Sequence, residues 1–204
     1  MSALIIVDLQ NDFLPGGALP VPHGDEVIQL ANELQDRFEI VVATQDWHPA
    51  DHGSFAANHP GKKPGDRIKL DGIEQILWPV HCVQNTRGAE FASSFDRSRV
   101  VRVFQKGIDP RIDSYSTFFD NAHRRATGLG DFLKEQEVTE IYLLGLALDY
   151  CVKFSALDAR GLGLKTHVIV DACRGIALEP GDLEKAIEEM EGAGAMILSS
   201  RALC

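Results

Sequence analysis

The feature that most constrains this chain is a set of apolar runs too continuous to lie on a solvent-facing surface. Ala3-Leu4-Ile5-Ile6-Val7 has no polar residue at alternate positions, so a strand built from it must be covered on both faces. Ile40-Val41-Val42-Ala43, Val100-Val101-Arg102-Val103-Phe104, Glu140-Ile141-Tyr142-Leu143-Leu144 and Thr166-His167-Val168-Ile169-Val170-Asp171 repeat the pattern, and Ala195-Met196-Ile197-Leu198 ends it. Helical spacing falls between them, over Gly24 to Arg37, Phe118 to Arg125, Gly130 to Glu137, Cys151 to Arg160 and Asp182 to Glu191. Buried strands alternating with helices predict an α/β fold with a mostly parallel central sheet and helices on both faces. In such sheets chemistry gathers outside the carboxyl ends of the strands.

The 204 residues fit one domain over 1–204, large enough for a core without staples. A region of about 46–98 has no sustained period and is dense in Gly, Pro, Asp and His. A loop region of that length in a compact domain is commonly functional. The net charge of -10, with no gathered Lys and Arg, argues against nucleic-acid or anionic-membrane partners. Cys82, Cys151, Cys173 and Cys204 lie far apart, with no CxxC pair, which favours a reducing compartment. The N-terminus lacks the basic start of a signal peptide, and its apolar run is too short to span a bilayer, so a cytoplasmic protein is expected. A homo-oligomer is left open.

Three strands end in reactive groups: Asp8 after the first, Lys106 after the Val100 run and Cys151 after the Glu140 run. A carboxylate can take a thiol proton, an ammonium can hold the thiolate, and a helix N-terminus favours the anion. Cys151 is therefore the candidate nucleophile, expected at a helix start where its thiol ionises readily, with Asp8 and Lys106 beside it. Leu146-Ala147-Leu148 links strand to helix, so the amide N–H groups of Ala147 and Cys151 are candidate oxyanion donors. In Asp46-Trp47-His48 the spacing of two puts a carboxylate and an imidazole on one side of a strand end. His81 can return from the long loop as a third ligand, a set suited to zinc, iron or manganese. His52 is a further ligand or a supporting donor. Cys82, Cys173 and Cys204 read as structural or incidental. His23, His59, His123 and His167 read as surface or core histidines, and the Glu184 to Glu191 run as a solvated helix face.

Five segments resemble a known family over essentially the whole chain. They are Ile5-Ile6-Val7-Asp8-Leu9-Gln10-Asn11-Asp12-Phe13, Thr44-Gln45-Asp46-Trp47-His48-Pro49, Trp78-Pro79-Val80-His81-Cys82-Val83, Phe104-Gln105-Lys106-Gly107 and Gly145-Leu146-Ala147-Leu148-Asp149-Tyr150-Cys151-Val152. Together they are similar to the nicotinamidases (pyrazinamidases) of the isochorismatase-like hydrolases. The resemblance implies a triad of Asp8, Lys106 and Cys151, one divalent metal ion, zinc first, on Asp46, His48 and His81, and a cis peptide bond between Leu146 and Ala147. It implies nicotinamide as substrate, its ring held by Phe13, Leu19, Trp78 and Tyr115, and hydrolysis through a thioester. Phe13, Trp78 and Tyr115 read by themselves only as core or loop anchors. One departure is Leu148, where relatives usually carry a small polar residue and where no side-chain hydrogen bond can be made. Two other readings are a hydrolase of another small amide or enol ether, and a silent scaffold. The paired Asp46 and His48 argue against the first, and the complete triad against the second.

Overall fold

The computed structural model describes residues 1–203; Cys204 lies outside the described residues. The strands are β1 (Ser2–Val7), β2 (Ile40–Asp46), β3 (Arg67–Leu70), β4 (Ile73–Ile76), β5 (Val100–Lys106), β6 (Glu140–Leu146), β7 (Lys165–Arg174) and β8 (Met196–Leu198). The α-helices are α1 (Val27–Leu34), α2 (Leu129–Glu135), α3 (Lys153–Gly161) and α4 (Asp182–Gly192). Six strands form a parallel sheet in the order β5-β2-β1-β6-β7-β8. Ala3 to Val7 and their neighbours Leu143 and Leu144 are fully buried; because successive side chains point to opposite faces, both faces of the central strands must be covered. Helix α1 packs on β6 and β7, α3 on β7 and α4, and Phe132 of α2 meets Phe104 of β5.

Strand order runs outward from β1 to β5 on one side and from β6 to β8 on the other. The crevice between the carboxyl ends of β1 and β6 is therefore the switch point where open α/β sheets bind ligands. Gly145 sits there at φ +121. A Cβ at Gly145 would run into the Val7 backbone, so only glycine lets β6 lie this close to β1.

Three expectations change. Phe118 to Arg125 is not helical: Asp120 Oδ1 accepts the N–H groups of Ala122 (3.0 Å) and Arg124 (2.9 Å), and Phe119 bridges Ala126 in an antiparallel turn. The short carboxylate captures backbone donors that a helix would need. The long loop region contains the antiparallel β3–β4 hairpin, turning at Asp71-Gly72 with both residues at positive φ. That Asp-Gly pair is a hairpin signal in the sequence, obscured by strands of only four residues each. Finally, Cys151 does not open an α-helix. Leu148–Val152 forms a π-helical turn, with the Val152 N–H donating to Ala147 O at 3.1 Å, and α3 begins only at Lys153.

Candidate active site

The carboxyl ends of four neighbouring strands bring the expected groups together. Asp8 follows β1, Asp46 closes β2, Lys106 closes β5 and Cys151 lies in the turn after β6. All four are buried. The Lys106 ammonium donates to Asp46 Oδ1 (2.5 Å), to the Ser114 carbonyl (3.0 Å) and to Cys151 Sγ (3.3 Å), and lies 3.0 Å from Asp8 Oδ2. Acceptor atoms of Asp8 and Asp46 and the Cys151 sulfur lie within 4.8 Å of one another. Thr44, two residues before Asp46 and so on the same side of β2, donates its hydroxyl to Asp8 Oδ1 at 2.7 Å. Apart from the Lys106 ammonium, Asp8 Oδ2 has no polar partner among the described residues.

Burial pushes the Asp8 carboxyl up, only partly offset by Lys106. Burial also works against Asp46, yet Lys106, His48 and His81 together hold that carboxyl below its ordinary range. The Lys106 ammonium is favoured well above the usual lysine range, because Asp46 and Asp8 outweigh the burial that opposes its charge. The thiol departs from expectation: burial raises Cys151 well above an ordinary cysteine, and the pull of Lys106 does not reverse it. Burial thus favours the neutral thiol, with the Asp8 carboxylate beside it as an acceptor.

Asp46, His48 and His81 converge as the sequence suggests. Their ligand atoms lie within 4.8 Å of one another, with both Nε2 atoms facing Asp46 Oδ2 at 3.5 and 3.8 Å. The outward Nδ1 atoms are engaged, His48 with Gly107 O at 2.9 Å and His81 with Pro79 O at 2.8 Å. With a proton on Nδ1 given to each carbonyl, the neutral form of either ring carries its lone pair on Nε2. Burial, then His48, lowers His81 to about 4, while Asp46 overcomes burial to raise His48. Gly107 has φ +66 and lies so close that a Cβ would overlap the His48 ring. His52 is fully buried, its Nδ1 2.7 Å from Ser54 Oγ and its Nε2 without a hydrogen-bond partner among the described residues; His48, His52 and Asp113 form a second close group.

A pocket joins the two groups. Phe13, Leu19, Trp78 and Tyr115 line it, as do Asp46, His48, His81, Ala147 and Cys151. Asp113, Tyr150 and Ile176 line it too and had not been singled out. Tyr150 sits next to Cys151, a signal available in the sequence; Ile176 reaches the pocket because Asp149 accepts the N–H groups of Ile176 (3.0 Å) and Ala177 (2.8 Å). Gln10 was also missed: its amide donates to Asp46 O and accepts the Asp46 N–H, both at 2.8 Å, fixing the backbone that carries that carboxylate. The Leu146–Ala147 peptide bond is cis. Leu148 is buried in the core, and Cys82 and Cys173 are buried and free. The exposed rings of His23 and His123 lie 3.0 Å from Glu26 and Asp158, and His167 is buried against Glu140. His59 contacts Gly53 O at 2.8 Å.

The isochorismatase domain profile matches residues 2–202. The chain belongs to the isochorismatase family. Within that family it is 51% identical over 199 residues to the nicotinamidase of Escherichia coli, covering 96% of this chain and 93% of that one. The solved structure of a nicotinamidase/pyrazinamidase from Acinetobacter baumannii superposes with a TM-score of 0.97 at 47% identity, over 100% of this chain and 98% of that one. The pyrazinamidase of Pyrococcus horikoshii, solved in complex with zinc, matches at 39% identity and a TM-score of 0.79, over 97% and 98% of the two chains. No helix among the described residues is long and apolar enough to cross a membrane.

Proposed function

We propose that this chain is a nicotinamidase, hydrolysing nicotinamide to nicotinate and ammonia through a thioester on Cys151 in NAD salvage, and that it also deamidates pyrazinamide. The observation that carries the reading is a buried thiol 3.3 Å from an ammonium that also lies 3.0 Å from a buried carboxylate oxygen. The activities named for the E. coli and A. baumannii relatives support the substrate.

Asp8, raised by burial and so a better proton acceptor than an exposed aspartate, takes the proton from Cys151. Sγ then bonds to the carboxamide carbon, with Lys106 beside the sulfur as its charge changes. The N–H groups of Ala147 and Cys151 serve as donors to the oxyanion. As the carbon–nitrogen bond breaks, Asp8 returns its proton to the departing ammonia and a thioester remains. Water, losing a proton to Asp8, adds to the thioester carbonyl; the thiolate leaves and is reprotonated, and nicotinate is released. Phe13, Leu19, Trp78 and Tyr115 hold the ring, with Tyr150 and Ile176 completing the wall.

The donor set fits one divalent ion on Asp46, His48 and His81: a buried carboxylate with two imidazoles whose Nε2 atoms converge on it. Zinc suits these N and O donors and is present in the P. horikoshii relative, with iron and manganese as alternatives. When bound, the ion supplies a Lewis-acid contact for the pyridine nitrogen. His52 remains a further ligand candidate. The free cysteines fit a reducing cytoplasm.

Ammonia release from nicotinamide tests the proposal. The metal-loaded protein is expected to release ammonia, a chelator to stop it and added zinc to restore it. Inactivity of the metal-loaded protein on nicotinamide overturns the substrate and leaves another small amide to be found.

A further inference from the structure

The β3–β4 hairpin lies outside the central sheet, and Gln75 is its one buried strand residue, 3% exposed. Its tip is fastened by an ion pair between Asp71 and Arg124. Gln75 Nε2 donates to Asp113 Oδ2 at 3.0 Å and to the Tyr115 hydroxyl at 3.0 Å, and lies 2.7 Å from Ile76 O. The carboxylate of Asp113 accepts only, which fixes the Gln75 amide with its NH₂ toward the loop. Trp78 Nε1 donates to the same Tyr115 oxygen at 3.2 Å.

The three residues that Gln75 spans have separate duties. Asp113 takes the Gln75 amide and accepts the Ser114 N–H at 2.8 Å. The Ser114 carbonyl receives Lys106. Tyr115 walls the pocket. Gln75 therefore stands behind both the ligand wall and the ammonium that touches the nucleophile.

We infer that Gln75 is a positioning residue: through Asp113 and Tyr115 the hairpin sets the pocket wall, and through the Ser114 carbonyl it sets Lys106 against Cys151. The inference rests on the nicotinamidase reading for its KM arm only, since the reactivity of Cys151 needs no substrate.

The test compares Gln75→Glu with the exchange variant Gln75→Glu/Asp113→Asn, each loaded with zinc and checked for metal content and melting temperature. Gln75→Glu sets two carboxylates face to face, whereas the exchange restores one N–H···O pair with its direction reversed. For Gln75→Glu, KM for nicotinamide is expected to rise about tenfold and kcat to fall about tenfold in step with the alkylation rate, the KM rise being a change that a partly unfolded sample does not give. Alkylation of Cys151 by iodoacetamide, measured over a Cys151→Ala baseline, is expected to slow. The exchange variant is expected to recover most of both. A folded Gln75→Glu protein with wild-type KM and alkylation rate overturns the inference, as does an exchange variant that folds and recovers neither. If Gln75→Glu does not fold, the folded exchange variant decides alone. If nicotinamide proves not to be a substrate, the alkylation arm still decides.

Discussion

The two ends of the sheet each gather a lysine, carboxylate and histidine, with opposite consequences. At the amino ends, Glu140 meets Lys165 at 2.8 Å and His167 at 2.7 Å, but the Lys165 side chain is 59% exposed and Glu140 27%. Water screens that group, and its charges simply favour one another: Glu140 is lowered, first by its hydrogen bond from Lys165. At the carboxyl ends Lys106 meets two carboxylates with its side chain 1% exposed. There burial outweighs pairing for some members, so Asp8 and Cys151 are pushed up while Asp46 is held down. Similar residue types thus make a surface tie at one end and a set of groups with separated proton affinities at the other.

Lys106→Met should break this contrast most severely. It leaves Asp8 and Asp46 buried without their cation, and a loss of ~3–5 kcal/mol in urea unfolding of the metal-free protein is expected together with loss of ammonia release. Lys165→Met at the opposite end should change stability by no more than ~1 kcal/mol. Equal effects from the two lysines would erase the distinction.

Gly107→Ala acts next, by crowding His48 and forcing an alanine to φ +66. Zinc affinity, read by competition with a chromophoric chelator, should fall about 10- to 100-fold. Unchanged affinity would mean that the close approach at Gly107 does not set the His48 ring. Thr44→Val removes the hydroxyl donor to Asp8, and kcat/KM should drop about tenfold, corresponding to one buried hydrogen bond to a charged group.

Glu140→Gln gives the smallest effect and carries a pH signature. Because the folded carboxyl is lowered, its contribution is present above the unfolded glutamate value of about 4.3 and is lost as pH falls through the folded value. The variant should melt a few degrees lower at pH 7, and the difference should close below about pH 4. A gap that widens in acid would contradict the sign.

The strands and the two reactive groups were legible because they rest on strong local rules. Continuous apolar runs demand a covered sheet, and strand-end Asp8, Asp46, Lys106 and Cys151 follow from where such a sheet does chemistry. Gln10, Gln75 and Asp113 were not legible, since each acts across 36 to 79 residues of chain through hydrogen bonds that no local spacing records. Thr44 was within reach, lying two residues before Asp46 on a strand. The supposed helix at Phe118 to Arg125 failed because spacing reports apolar faces and not the capture of backbone N–H groups by Asp120. The shift of the thiol was not legible for a related reason: dipole and ammonium can be inferred from order along the chain, whereas burial is a property of the packed site.

The most direct test is acid-quench mass spectrometry of the zinc-loaded protein mixed with nicotinamide. The account predicts a nicotinoyl group on the peptide containing Cys151, absent from Cys151→Ala and strongly reduced in Asp8→Asn. Ammonia release by Cys151→Ala at the wild-type rate, with no adduct on any peptide, would contradict it.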